Sequence, residues 1–212
     1  MQQPPEATLA ITPVCPHCPG MMEVLGQLVK KGNISALHII NIAAQNEFAG
    51  KNEIRSVPWL RLGPFILQGL HTQQEIQSWI DRYQSDTGIE DYFTELLSNG
   101  ELDTVARAIK TSPEIIQQLI PLISSDETNI NVRLGLGAIL EDLAGLAILD
   151  ILLKDLIQLL SHSNPRVRGD AAHFLSFIHS PDALTALQQR SEETDPEVRE
   201  IIEESIETLN SD

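Results

Sequence analysis

The sequence predicts an α/β domain followed by an all-α domain of helical repeats. Strand and helix signals alternate over residues 7–83, a short helix-opening signature recurs in the second half, and both cysteines lie within one four-residue window. With 212 residues, 42% of them hydrophobic, the chain is long enough for two small domains with packed cores.

The first half alternates between the periods of strands and helices. Its second apolar run is nearly continuous, as in a central buried strand. Two later strands flank a Gly63-Pro64 turn typical of a β-hairpin. Thr72 can cap the closing helix, with Glu75 at the capping-box position. The predicted order is β-α-β-α-β-β-α, with strands at 7–11, 34–42, 57–62 and 65–68 and helices at 16–31, 44–51 and 72–83.

The second half has no strand pattern and is predicted to form successive helices joined by short polar turns. In its recurring signature, Asn or Asp caps a helix, Pro occupies the first helical position in two copies, and Val opens the apolar stripe. The valines are 35 and then 31 residues apart, a period typical of solenoids. The copies are Asn129–Arg133, Asn164–Arg168 and Asp195–Arg199. The polar stretch 83–88 joins the halves, so we predict domains at 1–84 and 85–212.

Charge is distributed unevenly between the halves. Residues 1–83 hold six acidic and six basic residues, so the net charge of −16 comes from residues 84–212, with 24 acidic against 8 basic residues. This balance repels phosphate backbones, and we expect no nucleic-acid partner. We interpret the acidic excess as a solvated face that keeps the helical domain soluble. The alternative is a binding surface for a basic partner.

No apolar run approaches the roughly 20 residues needed to cross a bilayer, so we expect no membrane partner. The first residues, Met1 to Glu6, lack the basic start and apolar core of a secretory signal. We therefore expect a cytoplasmic protein, although a chain whose export signal had been removed would look the same.

Cys15 and Cys18 have the spacing of a disulfide-exchange site. Such a site needs one thiol that ionises easily and a second that resolves a mixed disulfide. Cys15 is predicted at the N-terminus of the 16–31 helix, where free N–H groups and the helix dipole lower a cysteine pKa from about 8.5 to roughly 3.5–7.5. Cys18 is predicted one turn into the helix and less exposed, within reach of the Cys15 sulfur.

His17 lies between the two cysteines. It can favour the Cys15 thiolate, which stabilises the reduced pair and makes the disulfide a stronger oxidant. The alternative is that His17 is an exposed turn residue. Half of a zinc site is a poorer explanation of the pair, because no second C-x-x-C exists and the other histidines show no metal-ligand spacing. We expect no metal and no cofactor.

Read together with Val57-Pro58, some forty residues downstream at the start of a strand, the cysteine pair identifies a family. Residues 7–83 resemble the thioredoxin and glutaredoxin superfamily. The resemblance implies that Pro58 is cis and faces the disulfide, that Cys15 is the nucleophile, and that the Val57 backbone pairs with an extended substrate segment. We assign Cys15, Cys18, His17 and Pro58 to catalysis and Pro16, Val57 and Trp59 to substrate binding. For Trp59, packing against the first helix is the alternative.

The redox motif has features of particular branches of this superfamily. Cys-Pro-His-Cys is the tetrapeptide of bacterial disulfide-forming oxidoreductases. The run Cys-Pro-x-Cys-Pro, closed by Pro19, looks more like glutaredoxin-like protein disulfide oxidoreductases and the N-terminal domain of alkyl hydroperoxide reductase flavoproteins. Val14 precedes Cys15 where thioredoxins have Trp, the first strand has Leu9 and no buried acid such as thioredoxins place there, and Glu23 lies where their helix-bending proline would be. These departures leave the redox direction open.

The second half resembles HEAT repeats, including the HEAT-like units of phycobilin lyases, through its recurring Asn/Asp-x-x-Val-Arg opening. The resemblance implies structural contacts for Arg133, Arg168 and Arg199. We therefore predict a thiol–disulfide oxidoreductase acting on a protein partner and exchanging electrons with another thiol system, with the HEAT-like domain as docking surface. The alternatives are a non-enzymatic HEAT-repeat adaptor capped by a thioredoxin fold, and an assembly factor for a cofactor protein.

Overall fold

The computed structural model describes residues 3–211 and divides into two compact units between Ile89 and Glu90. The boundary predicted at 84/85 lies in the short segment that separates the last helix of the first unit from the helix beginning at Gly88. Among the described residues, no helix is long and apolar enough to span a bilayer.

The first unit has the predicted order of strands and helices around a four-stranded mixed sheet. The sheet order is β2-β1-β3-β4, in which β1 pairs parallel to β2 and antiparallel to β3, and β3 pairs antiparallel to β4. The elements are β1 (Glu6–Ile11), α1 (Cys18–Lys30), β2 (Ala36–Asn41), α2 (Asn46–Lys51), β3 (Trp59–Leu62), β4 (Phe65–Gln68) and α3 (Gln73–Gln84).

The core of this unit lies on one face of the sheet. Alternate residues of β1 and β3 point to that face, where helical stripes from α1 and α3 cover them. The predicted α3 cap is confirmed: the Glu75 N–H donates to Thr72 Oγ1 at 3.2 Å, and the Thr72 N–H donates to Glu75 Oε2 at 2.7 Å. Fully buried members of the core include Leu9, Met21, Leu25, Leu60, Leu62, Ile76 and Ile80.

The predicted central position of the second strand is wrong. β1 is central, and β2 lies at an edge with Ile39 44% exposed and the side chain of His38 60% exposed. Leu37 packs against the core, but Ile39 on the same face and His38 on the opposite face are both exposed, so the continuous apolar run does not reflect burial on both faces. Strand order depends on which strands pair, and one strand's composition does not encode its partners.

The second unit is a succession of helices, as predicted. Two short 3₁₀ segments, Pro113–Gln118 and Ala147–Leu152, precede α6 and α8 respectively. The α-helices are α4 (Gly88–Ser98), α5 (Leu102–Thr111), α6 (Leu119–Ser124), α7 (Ile130–Asp142), α8 (Leu153–Leu159), α9 (Pro165–Leu175), α10 (Pro181–Gln188) and α11 (Pro196–Ser211).

The three copies of the recurring signature open α7, α9 and α11, and each cap forms as predicted. Asn129 Oδ1 accepts from the Asn131 N–H at 2.8 Å, and Asn164 Oδ1 accepts from the Arg166 N–H at 2.9 Å. Asp195 Oδ1 accepts at 3.0 Å from the N–H of Glu197, the second residue of α11. The caps satisfy N–H groups that a helix start leaves without partners.

Two of the three signature arginines hold neighbouring repeats together. Arg133 is buried, pairs with Asp170 of α9 and donates to the Ser125 carbonyl at 3.1 Å. Arg168 donates twice to the Glu193 carboxylate, at 3.0 and 2.8 Å. Because Arg168 stabilises the ionised carboxylate, the pKa of Glu193 falls to about 2.

Arg199 differs from the other two signature arginines. It is exposed on α11 and makes no ion pair among residues 3–211. Glu193, the partner of Arg168, lies in the turn before α11, which is the next helix with the recurring signature. No helix follows α11 in the described part of the chain, so Arg199 has no such turn to contact. The predicted structural contact therefore has no observed counterpart at Arg199.

Candidate functional site

The loop from β1 to α1 carries both cysteines. The Cys15 N–H donates to the Thr12 carbonyl at 3.2 Å, closing a turn after β1. The helix begins at Cys18, where we predicted a start at Pro16. Cys18 is therefore the first helical residue, not a residue one turn into the helix, and Cys15 lies just outside the helix end.

The two sulfurs form a disulfide with their Cα atoms 5.5 Å apart. Cys15 is half-buried, and Cys18 is 2% exposed, which confirms the predicted difference in exposure. The Cys18 N–H points at Cys15 Sγ, 3.1 Å from the nitrogen. The first N–H of a helix has no intrahelical acceptor, so it is available to a sulfur anion at this position.

His17 and Pro16 both lie exposed between the cysteines. His17 is the N-cap residue of α1, but its side chain makes no capping hydrogen bond. Its carbonyl oxygen accepts from the Met21 N–H at 3.3 Å. An effect of the His17 side chain on Cys15 would therefore act through charge at the helix end.

Pro58 precedes β3 and follows a cis peptide bond from Val57, as the resemblance implied. Because β3 runs antiparallel to β1, with Trp59 paired to Ala10, Pro58 lies at the end of the sheet where the cysteine loop begins. The Pro58 side chain is buried and Val57 is half-buried. Among residues 3–211, the Val57 backbone N–H and C=O have no hydrogen-bond partner.

Trp59 is not exposed to a substrate. The side chain is 2% exposed and meets the ring of Phe48 in α2 edge-on, with 6.3 Å between centroids. Trp59 is therefore packed inside the unit, as the alternative interpretation had it, but the ring that it contacts belongs to Phe48 of α2 and not to the first helix. The predicted substrate contact of the Trp59 side chain is corrected accordingly, because the ring is buried and packs against Phe48.

Sequence reasoning missed an apolar residue beside the site. The Gly69 N–H donates to the Pro58 carbonyl at 2.9 Å, and the His71 N–H donates to Met21 Sδ at 3.4 Å. Leu70, between these two anchors, is 58% exposed. Its only sequence signal is its place after a glycine at a strand end, and Gly69 has a φ of +90°. Leu70 therefore lies on the surface between Pro58 and α1.

Val14 adds a second exposed apolar side chain at this end of the sheet, because it is 89% exposed and directly precedes Cys15. Among the described residues, no three His, Cys, Asp or Glu side chains lie close enough to share a metal ion. The arrangement thus offers a half-buried sulfur, a buried second sulfur, an unpaired backbone segment and apolar surface around them.

Comparison with protein families gives two matches that do not overlap. The sequence model of a family described as thioredoxin domain matches residues 7–81, and one described as HEAT repeats matches residues 116–207. A search of curated proteins found no significant match. The first match covers the sheet and the cysteine loop, and the second covers the helices opened by the recurring signature.

Proposed function

We propose that this chain, in which a thioredoxin domain is followed by HEAT repeats, is a disulfide oxidoreductase that exchanges a dithiol for a disulfide on a protein partner. The observation that carries the proposal is the Cys18 N–H directed at Cys15 Sγ, 3.1 Å away. An N–H at a helix start stabilises a thiolate, and the thiolate is the reactive form of cysteine.

The exchange balances within the two cysteines and the partner. In the reducing direction, the Cys15 thiolate attacks a partner disulfide, a Cys15–partner disulfide forms and one partner thiolate leaves. The Cys18 thiolate then attacks Cys15 Sγ, the internal disulfide forms and the second partner thiolate leaves. Two electrons pass to the partner, and another thiol system returns them to the pair. The oxidising direction reverses each step.

Exposure supports this division of roles. Cys15 is accessible to a partner, whereas Cys18 is 2% exposed and can reach only a sulfur already bound to Cys15. The unpaired backbone of Val57 supplies a donor and an acceptor for an extended partner segment at the same end of the sheet. The exposed Pro16 would contact that segment next to Cys15. We expect this chemistry in the cytoplasm.

The activity is tested with the full-length protein and two serine variants. Wild type should accelerate reduction of insulin by dithiothreitol, and Cys15→Ser should abolish the acceleration. Cys18→Ser, reduced and then freed of dithiothreitol before insulin is added, should retain attack but accumulate a Cys15–insulin mixed disulfide, visible on a non-reducing gel. The chain has two cysteines, so no third thiol of the protein can form the mixed disulfide. Equal activity of wild type and Cys15→Ser would refute the proposal and favour the adaptor interpretation.

The direction of exchange follows from one equilibrium measurement. The reduction potential of the pair, determined in glutathione buffers, separates a reductase near about −270 mV from a disulfide donor near about −120 mV.

A further inference from the structure

A mainly apolar groove lies on the repeat unit, between α7 and the turn that joins α4 to α5. Its volume is about 420 Å³, and its lining comes from Leu97, the turn 98–100, Leu102, Asn131, Leu134 and Gly135. A Cβ at Gly135 would lie 3.0 Å from Leu97 Cδ2 and 3.1 Å from Leu102 Cδ2. The glycine therefore lets both leucines approach α7 and form the floor of the groove.

Leu134, which lines the groove, belongs to an exposed apolar pair on α7. Leu134 is 67% exposed, and Ile130, one turn earlier, is 62% exposed. Side chains four residues apart point to the same side of a helix, so the two are neighbours on the surface. Among the described residues, only Val14 is a more exposed large apolar side chain. Clustered exposed apolar groups of this kind mark interaction sites.

The two segments that frame the groove, 95–103 and 126–142, are acidic. Both lie within the described residues, and Arg133 is their one basic residue. Arg133 is buried and paired with Asp170, so it does not offset the acidic groups at the surface, of which Asp142 forms a salt bridge with Lys110 of α5 at 2.7 Å. The acidic residues of these segments are Glu95, Glu101, Asp103, Asp126, Glu127, Glu141 and Asp142.

We propose that this groove docks an amphipathic helix of the redox partner, with apolar side chains on one face and Lys or Arg beside them. The apolar face would fill the groove and cover Ile130 and Leu134, while its cations would meet the acidic segments. The identity of this partner rests on the proposed function, whereas the site rests on the groove itself. A second copy of the chain would bring its own net charge of −16 against this surface, which disfavours self-association.

The test uses full-length protein and a fluorescein-labelled Leu/Lys peptide of about 14 residues, or roughly four helical turns. Fluorescence anisotropy should show binding that weakens about tenfold or more in the double variant Ile130→Ser/Leu134→Ser, because burial of these side chains drives association. The matched control Leu146→Ser/Ile151→Ser removes two other exposed apolar side chains, 48% and 38% exposed, and should stay within about twofold of wild type. A peptide with Gln in place of Lys should bind about tenfold more weakly.

Four outcomes would overturn the docking site. They are absence of peptide binding, equal losses in the groove and control variants, equal affinity for the Gln peptide, and a wild-type dimer in sedimentation that the groove substitutions dissolve. Thermal melts of both double variants verify that each is folded. Insulin reduction by wild type is recorded in parallel: its absence, with peptide binding intact, would refute the proposed exchange but leave the docking groove standing.

Discussion

At the residue scale, the two cysteines are three positions apart but lie in different environments. Cys15 lies outside the helix and is half-buried, whereas Cys18 begins the helix and is 2% exposed. The Cys18 N–H points at Cys15 Sγ and is placed to stabilise a thiolate there when the disulfide is reduced. This asymmetry is what a nucleophile and a resolving thiol require.

His17 provides a prediction at this scale. We predict that its exposed side chain, at the N-terminus of α1, favours the Cys15 thiolate by charge and so stabilises the reduced pair. We expect His17→Ala to make the reduction potential more negative, by up to about 30 mV, equivalent to roughly tenfold in the equilibrium constant. Equilibration with glutathione buffers measures the shift, and His38→Ala, which alters an exposed histidine on β2, serves as control. An unchanged potential in His17→Ala would identify His17 as a turn residue alone.

At the element scale, the repeat unit depends on contacts between successive helices. The caps start α7, α9 and α11 at defined residues, which places Arg133 and Arg168 where they reach Asp170 and Glu193. Both pairs join residues at least 25 positions apart, so they order one repeat against the next. The small residue Gly169 contributes too, because a Cβ there would lie 3.1 Å from Ile201 Cδ1 of α11.

The Arg168–Glu193 pair predicts that the stability of the repeat unit depends on pH. The pKa of Glu193 is lowered from 4.5 to about 2, chiefly by hydrogen bonds from Arg168. Its contribution to stability is therefore complete above the unfolded value and is lost as pH falls through the folded value. Wild type should melt at a higher temperature than Glu193→Gln at pH 7. The difference should be roughly 2–4 °C for each kcal/mol of unfolding free energy that the substitution removes.

The difference in melting temperature between wild type and Glu193→Gln should shrink as pH falls from about 5 towards 2. Circular dichroism melts across this range measure it. Glu203→Gln, which removes an exposed carboxylate from α11, should show no comparable gap at neutral pH. A difference between wild type and Glu193→Gln that is constant with pH would contradict the assigned role of the ion pair.

At the scale of the whole molecule, chemistry and charge are divided between two units. The cysteines lie in the first unit, whose residues up to 83 hold equal numbers of acidic and basic residues, whereas the acidic excess lies in residues 84–212. With 24 acidic and 8 basic residues, the stretch 84–212 repels acidic partners at a distance and attracts basic ones. We infer that partner choice belongs to the repeats and electron transfer to the thioredoxin domain.

Deletion of residues 88–212 tests this division. In a Cys18→Ser background, the full-length protein should trap its cellular partner as a mixed disulfide, and the truncated form should lose most of that trapping. Insulin reduction by the truncated form with both cysteines shows whether its redox site is intact. Retention of both partner trapping and insulin reduction would show that the repeats do not select the partner.

The features that the sequence determined are those carried by neighbouring residues. Strand and helix periods, the caps at Asn129, Asn164 and Asp195, the capping box of Thr72 and the Cys15–Cys18 spacing all act within a few positions of the chain. The Val57-Pro58 dipeptide at a strand start is also a local signal, and the cis bond that the resemblance implied for it is confirmed.

The tertiary structure decided what depends on distant residues. The edge position of β2 follows from pairing of β1 with β3, the burial of Trp59 from its contact with Phe48, and the place of Leu70 beside Pro58 from a hydrogen bond across the β3–β4 hairpin. The groove beside α7 likewise needs the turn 98–100 brought against Gly135. Local preferences act through the backbone and adjacent side chains, whereas exposure and contact are set by whichever remote segment packs nearby.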